Sequence, residues 1–498
     1  MSQHLEPPPN AKWDANWNAD WNANGTTNWD AIIIGGGAAG FFTAITLAQQ
    51  APKARVLLLE GSSRLLAKVA ISGGGRCNVT HACFDAQQLL LAYPRAHKQL
   101  VHNFKRFGPR QVVTWFESRG VALKTEPDGR MFPVSDDSQS VLVCLLQQAQ
   151  TLGVVIKKTC RVSAVQQTSA GFRLTVSAGT PNAPNSPNAP NTATKALDGQ
   201  TLNTRALVLA TGGVRPRYQQ VSLAEQLGHQ MIDGVPSLFT FCVNDDALTA
   251  LAGVSVPRVG GRLTVSPEAV TPAFADAFTA LPAAAFAQQT GPLLVTHWGL
   301  SGPCVLKLSA WGARALAYAG YRATLWLDWL PDAQHEAFRQ TCLAAKQRHG
   351  ARQLKNAQEL LGATALPRRL WLYLLQHASL TDVCPGLTED TPLGDLKDKT
   401  LNRFSERLKR WPVQIQGKGV FKEEFVTAGG VPLNEVHLAR YESKRCPGLY
   451  VVGELLDVDG VTGGFNFQNA WTSGFLAGCH LAERFASARP NGDMARPL

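Results

Sequence analysis

Residues 30–60 read DAIIIGGGAAGFFTAITLAQQAPKARVLLLE, and this stretch determines the fold class. An apolar, β-branched run ends at Ile34 and leads directly into glycines with the GxGxxG spacing. The residues from Ala38 to Gln50 then predict a helix, and the apolar run from Val56 to Leu59 predicts a second strand. Strand, glycine turn, helix and strand in this order indicate a βαβ unit that binds a dinucleotide.

The glycine turn is the first candidate for cofactor binding, because each glycine has a physical task there. The first permits the tight turn, the second lets the backbone approach a pyrophosphate, and the third lets the helix pack closely on the strand. The N–H groups at the start of the helix would point at the phosphates. The candidates in this turn are Gly35, Gly37, Ala38, Ala39 and Gly40.

Glu60 follows the second strand, about twenty residues after the last glycine, where such folds bind a ribose hydroxyl. A carboxylate at this place disfavours a 2′-phosphate, so the adenosine of FAD or NAD fits better than that of NADP. The alternative is an ordinary glycine turn. The strand before it, the helix after it and the acid at the next strand end favour the dinucleotide.

Length and composition indicate a globular protein of roughly three domains. The 498 residues are 45% hydrophobic, but no apolar run approaches the roughly 18 residues that cross a bilayer. The first 29 residues lack the apolar core of a secretory signal, and the ten cysteines form no CxxC pair. We therefore expect a cytoplasmic protein with reduced cysteines and no metal site.

The net charge of +11, from 48 basic and 37 acidic residues, is unevenly distributed. Between Lys346 and Lys422 there are 14 Lys and Arg against 7 Asp and Glu, a surplus of seven. A basic surface attracts polyanions such as RNA, although a solvated helical face is the commoner explanation. The candidates for phosphate contacts are Lys399, Arg403, Arg407, Lys409 and Arg410.

A second glycine-rich segment, KVAISGGGRCNVT at residues 68–80, combines three consecutive glycines with cations and an amide. Such a backbone can lie against a flat ring or a phosphate, and the alternative is a mobile surface loop. The neighbouring Arg76 would lower the pKa of Cys77, which makes this thiol a candidate redox or acid residue, with simple packing as the alternative. The cofactor candidates here are Lys68, Gly73, Gly74, Gly75, Arg76, Cys77 and Asn78.

Six motifs, in order along the chain, resemble the HI0933-like family of NAD(P)/FAD-dependent oxidoreductases. They are GGGAAG at 35–40, KVAISGGGRCNVTH at 68–81, LATGG at 209–213, THWGLSGPCVL at 296–306, TAGGVPLNEV at 427–436 and GLYVVGELLDVDGVTGGFNFQNAWTSGFLAG at 448–478. The resemblance implies an α/β protein whose Rossmann-like two-dinucleotide-binding FAD domain is interrupted by an inserted β-rich domain and a helical subdomain. It also implies that the SGGGRCN segment lies near the FAD.

The remaining cofactor candidates come from strand ends and from the last motif. An apolar strand ends at Gly453, and the glycine-rich stretch after it starts a helix whose N–H groups would stabilise negative charge on a reduced flavin ring. Asp457 would bond ribityl or phosphate-side hydroxyls, and Asn466 and Gln468 would supply amides; the alternative is an ordinary loop–helix junction. These further candidates are Val162, Thr211, Gly212, Gly453, Glu454, Asp457, Gly463, Gly464, Asn466 and Gln468.

The expected domain organisation follows from the resemblance and from local patterns. We expect helices in residues 101–150, punctuated by Gly120 and the Pro127-Asp128-Gly129 turn, and a loose Pro/Asn-rich hairpin tip at 180–194. Residues 332–411 also predict helices, including the apolar stretch 360–375 and a helix over 401–411. The predicted segments are a disordered extension (1–29), the first section of the FAD domain (30–213), the β-rich domain (214–331), the basic helical subdomain (332–411), a return segment (412–424), the second section of the FAD domain (425–486) and a tail (487–498).

The resemblance implies that NADH or NADPH delivers hydride to FAD, which reduces an activated C=C bond at the junction of the FAD and inserted domains. Uridine in large-subunit ribosomal RNA and steroid-like bile-acid intermediates are the substrate classes it suggests. His297, in a turn of the β-rich domain, is a candidate proton donor, with a structural role as the alternative. Other functions that fit the sequence are flavin binding without turnover and RNA binding with a vestigial cofactor site.

Overall fold

The computed structural model describes residues 28–96, 98–178, 199–214, 222–380, 384, 387–419 and 426–487. The predictions for residues 1–27, for the hairpin tip at 180–194 and for residues 488–498 lie outside these ranges. Within them we find no helix with the length and apolarity that a bilayer crossing needs.

The N-terminal region of the chain builds most of the central sheet and the helices that cover it. Its strands are β1 (Asn28–Ile34), β2 (Val56–Leu59), β3 (Thr80–His81), β4 (Leu123–Thr125), β5 (Arg130–Pro133), β6 (Val155–Lys157), β7 (Cys160–Thr168), β8 (Gly171–Ala178) and β9 (Thr201–Leu209). Its helices are α1 (Ala38–Gln50), α2 (Ala67–Gly75), α3 (Ala86–Leu90), α4 (Leu100–Arg106), α5 (Pro109–Glu117) and α6 (Gln139–Thr151).

The middle of the chain forms a closed barrel with helices packed on it. The barrel strands are β11 (Phe241–Val243), β12 (Ser255–Thr264), β13 (Gln289–Thr296), β14 (Gly299–Ser301), β15 (Ala323–Asp328) and β16 (Trp411–Lys418). Strand β10 (Ile232–Pro236) precedes the barrel and lies outside it. The helices of this middle region are α7 (Leu223–Gln226), α8 (Asp246–Thr249), α9 (Ala275–Thr279), α10 (Pro303–Trp311), α11 (Ala313–Tyr318), α12 (His335–Arg348), α13 (Arg368–Leu380) and α14 (Asp398–Lys409).

The C-terminal region of the chain returns to the central sheet. It contains β17 (Thr427–Gly430), β18 (Val436–His437), β19 (Glu442–Ser443), β20 (Leu449–Val451) and the long helix α15 (Phe465–Ser487). Short 3₁₀ turns occur at Pro267–Ala269, Pro272–Phe274, Ala283–Phe286, Leu354–Asn356, Leu393–Asp395, Leu433–Glu435 and Gly453–Leu455.

The centre of the sheet is five parallel strands in the order β20-β9-β1-β2-β6. Of these strands, β2 and β20 are apolar and fully buried, whereas β6 at the edge of the sheet is only partly buried. Helix α1 packs on α15, where Gly474 and Gly478 leave room for its backbone and side chains. Because parallel strands end at one edge, the turns after β1, β2, β9 and β20 converge there. The predicted α/β fold class with a Rossmann-like domain is confirmed.

The barrel closes in the order β11-β14-β13-β12-β15-β16. Strand β16 lies in the stretch that the sequence assigns to the helical subdomain's end and the return segment, yet it pairs with both β15 and β11. Barrel residues such as Phe241 and helix residues such as Trp371 and Phe404 belong to one continuous hydrophobic core. The helices therefore pack directly on the barrel.

Three helix predictions are partly wrong. Residues 101–150 include the hairpin β4–β5, because the Pro127-Asp128-Gly129 turn reverses the chain between two short strands. The helix expected over 360–375 begins only at Arg368, directly after Pro367, which has no N–H and is suited to a helix start. The helix expected over 401–411 ends at Lys409, and Trp411 begins β16.

Candidate functional site

The turn after β1 is shaped so that only glycine fits at its two ends. Gly35 has φ +113°, and a methyl group added to it would overlap the carbonyl oxygen of Ala210, at the end of the neighbouring β9. A methyl group on Gly40 would overlap the carbonyl oxygen of Gly35. The turn is therefore held tightly between the neighbouring strand and the first turn of α1.

The middle of the same turn is open. A methyl group added to Gly37 would meet no heavy atom within 4 Å, and Gly37 is the N-cap of α1 without a side-chain cap. The first turn of α1 contains no acidic residue, and Ala39 in it is buried. Uncapped N–H groups that face open space at a helix N-terminus are suited to a phosphate.

Glu60 lies beside this turn, as the sequence predicts. Its Oε2 accepts a hydrogen bond from the N–H of Gly36 at 2.8 Å, and its Oε1 accepts one from Ser62 at 2.7 Å. Val162 is buried in β7, two residues after Cys160, whose N–H donates to the carbonyl of Glu60 at 2.9 Å. Both residues therefore flank the place where a ribose would follow the phosphates.

The Glu454 carboxylate contacts residues from several separate segments at this edge of the sheet. Its Oε2 lies 2.5 Å from Nζ of Lys68, and its Oε1 accepts a hydrogen bond from the N–H of Thr427 at 3.1 Å. A methyl group on Gly213 would stand 2.9 Å from Oε1 of Glu454, so the Thr211-Gly212-Gly213 turn after β9 lies against this carboxylate. Thr427 was not among the predicted site residues, although the motif that contains it was recognised.

Gly453, just before Glu454, is equally close to the first turn. A methyl group added to it would stand 2.7 Å from Cβ of Ala39 in α1. The structure thus brings the candidates after β1, β2, β9 and β20 together at one edge.

The SGGG segment is only in part the loop that the sequence predicts. Helix α2 begins at Ala67 and is broken at Ser72, Gly73 and Gly74, the two glycines having φ of +59° and +71°. Gly73 and Gly74 are exposed, and a methyl group on Gly74 would meet no heavy atom within 4 Å. The break therefore presents bare backbone to open space, as a flat ring requires.

Arg76 and Cys77 differ from their predicted roles. The Arg76 guanidinium pairs with Glu126 at 2.7 Å and lies over the Phe132 ring at 4.0 Å, so protein groups already bind it. Cys77 is completely buried, and this burial raises the pKa of its thiol to about 12, against a weaker opposing hydrogen bond with Ser72. The expected lowering of the Cys77 pKa by Arg76 is wrong, because desolvation dominates.

Asn78 links the SGGG segment to the late loop, the glycine-rich stretch 457–468 that runs into the first turn of α15. In the amide orientation that satisfies both ends, its Oδ1 accepts from the N–H of Gly464 at 2.9 Å and its Nδ2 donates to the carbonyl of Thr80 at 3.0 Å. A methyl group on Gly464 would stand 2.6 Å from the carbonyl oxygen of Thr80. These two segments are therefore in direct contact, and the Asn78 amide serves that contact.

The predicted polar side chains of the late loop have protein partners. Asp457 faces the barrel, with its two oxygens 2.7 and 2.8 Å from Nη2 of Arg314 in α11. Asn466 bonds both the N–H and the carbonyl of Gly460 at 2.8 Å. Gln468 is buried and accepts from Oγ1 of Thr80 at 2.6 Å. Each of these three groups therefore has a protein partner, and its role toward a cofactor stays a prediction.

Asp459 is a residue that sequence reasoning missed. It is completely buried, forms an ion pair with Arg95 and accepts a hydrogen bond from Ser237. Arg95 also donates to the carbonyl of Ala310 in α10 at 2.8 Å. Its neighbours Val458 and Val461 are buried, and a buried carboxylate requires a partner, but the sequence does not distinguish Asp459 from the nearby Asp457.

His297 lies apart from these groups. It is exposed on the turn between β13 and β14 of the barrel, next to Trp298, whose indole N–H donates to Thr240 at 3.4 Å. The other candidates lie at the carboxyl edge of the central sheet. Its role as a proton donor stays a prediction.

The basic residues near α14 split into two groups. Lys399, Arg403 and Arg410 are exposed, as phosphate contacts require. Lys409 instead forms an ion pair with Asp328 at 2.8 Å, and burial lowers the pKa of Arg407. Lys409 is thus bound by the barrel, and the half-buried Arg407 lies over the Trp411 ring at 5.2 Å, so these two are less available to phosphates than the exposed three.

Comparison with known proteins agrees with this geometry. The family described as "HI0933-like protein Rossmann domain" matches residues 29–480. The chain is 28% identical over 458 residues to the 3-dehydro-bile acid delta(4,6)-reductase of Clostridium scindens, covering 91% of this chain and 98% of that protein. It is 30% identical over 453 residues to the Ribosomal RNA dihydrouridine synthase of Escherichia coli, covering 89% of this chain and 96% of that protein.

Among solved structures, the 3-ketosteroid-delta4-(5alpha)-dehydrogenase of Rhodococcus jostii superposes with a TM-score of 0.45 at 15% identity, covering 92% of this chain and 97% of that one. A flavocytochrome c3 fumarate reductase gives a TM-score of 0.42 at 14% identity, covering 94% and 82%.

Proposed function

Because the chain belongs to the HI0933-like protein family, we propose that it is an FAD-dependent oxidoreductase that takes hydride from NADH or NADPH and reduces an activated C=C bond. The observation that supports this best is the open, uncapped N-terminus of α1 at Gly37, flanked by Glu60 and Glu454. FAD, when bound, supplies the hydride chemistry. We place the protein in the cytoplasm.

The chain's own residues bind and orient the cofactor in this proposal. The first N–H groups of α1 hold the pyrophosphate, and Glu60 accepts a hydrogen bond from the adenosine ribose. Glu454, with Lys68 beside it, is placed for the ribityl hydroxyls. The bare backbone at Gly74 leaves room for the ring. Thr211 and Gly212, in the turn after β9, also lie against the cofactor in this proposal. Gly463 holds the late loop in position.

The substrate class that we propose is uridine in large-subunit ribosomal RNA. One relative is named a ribosomal RNA dihydrouridine synthase and another a bile-acid reductase, and a reduction of C=C is common to both names. The exposed cations Lys399, Arg403 and Arg410 and the net charge of +11 favour a polyanionic substrate over a steroid acid.

The test of the redox proposal uses the purified full chain. We expect a yellow protein whose visible absorption is bleached anaerobically by NADH or NADPH and recovers when an acceptor is added. A yellow protein that neither nicotinamide bleaches would indicate flavin binding without turnover. A colourless protein that does not take up added FAD would contradict the proposal altogether.

The RNA proposal is tested by the salt dependence of binding to a large-subunit rRNA fragment. We expect affinity to fall steeply with salt, and the Arg403→Gln variant to reduce the logarithmic salt slope by about one. The matched control, Arg407→Gln, removes a half-buried guanidinium and should leave the slope unchanged. Binding that does not weaken between low and moderate salt would exclude RNA as the substrate.

A further inference from the structure

A cavity of about 310 Å³ lies at the edge of the central sheet opposite to the candidate functional site. Strands β1, β9 and β20 are parallel, and they end at the edge where the cofactor candidates converge. The cavity is instead lined by Arg205, level with the first residues of β1, and by Pro447, just before β20. The strand from Arg205 to Leu209 spans roughly 13 Å, so the cavity is separate from the cofactor candidates.

Arg205 is held at this cavity by two contacts. Its Nη1 lies 3.0 Å from Oδ1 of Asp30, and its guanidinium lies over the Phe485 ring, 5.1 Å from the ring centroid. The other oxygen of Asp30 accepts a hydrogen bond from the N–H of Arg55 at 3.0 Å. The buried Phe485 therefore supports the guanidinium, while about half of the Arg205 side chain remains exposed.

Arg484 precedes Phe485 in α15 and lines the same cavity. Its Nη1 lies 3.2 Å from Oε1 of the buried Glu442. Glu442 is itself fixed, because it accepts hydrogen bonds from Arg440 at 2.9 Å and from the N–H of Gly448 at 3.1 Å. Each of the two cavity arginines is thus oriented by a carboxylate that has a second protein donor.

The turn between β7 and β8 supplies another wall of the cavity, with Thr168 and Ser169 in the lining. This turn is fixed, because Gly171 has φ +137° and a methyl group on it would overlap the carbonyl oxygen of Thr204 in β9. Within the part of the chain that the structure describes, the lining contains two arginines and no carboxylate. Guanidinium and hydroxyl donors around one cavity are suited to an anion.

We propose that Arg205 and Arg484 form a binding site for a phosphate ester, with the hydroxyls of Thr168 and Ser169 as further donors. A guanidinium has more N–H donors than these carboxylate contacts use, and its planar fork matches the oxygens of a phosphate. The cavity volume is at the lower end of the range of about 300–1,000 Å³ for ligand pockets, which suits a phosphate with part of its sugar.

The phosphate belongs to a free nucleotide or to the backbone of RNA, and both present the same group to the two arginines. The inference goes beyond the proposed function and does not depend on it, because no residue of the cofactor edge takes part.

The first test uses the full chain with excess FAD, so that the first turn is occupied, and measures binding by calorimetry. We expect 5′-AMP to bind about tenfold more tightly than adenosine, which lacks the phosphate. Arg205→Gln and Arg484→Gln should each weaken the binding of 5′-AMP about tenfold. The matched control is Arg173→Gln, which removes the same charge from an exposed residue of β8 outside the cavity and should leave the affinity unchanged.

The Arg205→Lys variant tests the shape of the site. Lysine keeps the charge but lacks the fork, so its affinity for 5′-AMP should lie between those of the wild-type protein and Arg205→Gln. The melting temperature of each variant without 5′-AMP verifies that it is folded. Wild-type affinity in Arg205→Lys would contradict a site built on the guanidinium fork.

A ten-residue oligoadenylate distinguishes the two sources of the phosphate. If RNA is the ligand, the oligoadenylate binds at least about tenfold more tightly than 5′-AMP, because further cations contact its backbone. If a free nucleotide is the ligand, the two probes bind about equally, and either result supports the site when Arg205→Gln weakens it. Equal binding of 5′-AMP and adenosine, no saturable binding of either phosphate probe, or equal effects of Arg205→Gln and Arg173→Gln would overturn the proposal.

Discussion

Two glycine-rich segments lie at the edge of the sheet, the first turn, which follows β1, and the late loop. They differ in whether their polar groups have protein partners. In the first turn, Gly37 faces open space and α1 has no side-chain cap. In the late loop, Asp457 and Asn466 are both bound by protein partners. The first turn offers its backbone to a ligand, whereas the late loop uses its side chains to hold the protein together.

The difference shows that glycine content alone does not distinguish a ligand cradle from a joint. What distinguishes them is whether the neighbouring polar groups have partners. In the late loop, Asp457 and Asp459 reach Arg314 on α11 and Ser237 before the barrel, so this loop fastens the barrel to the sheet. The position of the barrel relative to this edge of the sheet is therefore set in part by these two carboxylates.

Asp459→Ala should have the strongest effect, because it breaks this joint. It leaves the mostly buried Arg95 guanidinium without its carboxylate, and we expect a loss of about 3–5 kcal/mol in the free energy of unfolding, measured with denaturant. The control is Asp332→Ala, which breaks the exposed pair with Arg258 and should cost at most about 1 kcal/mol. Equal effects of the two variants would contradict the role of the late loop as a joint.

A smaller loss of stability is expected from Gly464→Ala. Gly464 has φ +89°, and the added methyl group would stand 2.6 Å from the carbonyl oxygen of Thr80. We expect a cost of about 1–3 kcal/mol, because the strained backbone cannot relax without separating the SGGG segment from the late loop. A melting temperature equal to that of the wild-type apoprotein would show that this contact is loose.

The sequence predicted the first turn well because its signals are local. Helix α1 and strand β2 have the predicted bounds, since an apolar strand, a glycine turn and a helical period all lie within thirty residues. The protein partners of the late loop could not be predicted, because Arg314, the partner of Asp457, lies 143 residues away in the chain. No local pattern reveals such a partner.

The same reasoning explains the errors elsewhere. Cys77 is next to Arg76 in the sequence, but the burial that controls its pKa comes from the tertiary packing around it. Lys409 and Arg407 share a helix with Arg403, and only the position of the barrel decides which of them face solvent. The type of the long elements was predictable from periodicity, whereas the short β4–β5 hairpin and the partners of polar groups were not.

In the first turn, Gly37→Ala should leave stability unchanged and weaken cofactor binding. The substituted residue is not at positive φ, and its methyl group meets no heavy atom within 4 Å. It would, however, occupy the space of the pyrophosphate, so FAD affinity should fall about tenfold, measured by fluorescence titration of the apoprotein. Unchanged FAD affinity would show that the first turn is not the cradle.

The weakest effect concerns Cys77, in the segment that connects the two turns and combines the exposed Gly74 with a buried thiol. Burial raises the pKa of Cys77 from 9.0 to about 12, so the thiol is protonated near neutral pH. The stability that the buried neutral thiol contributes is lost only as pH rises through about 9 to 12. In the folded apoprotein at pH 8, we expect iodoacetamide to label Cys77 at least tenfold more slowly than the partly exposed Cys83, followed by peptide mass spectrometry. Urea should abolish the difference, because it removes the burial. Rapid labelling of Cys77 in the folded protein would mean that the segment opens and exposes the thiol to solvent.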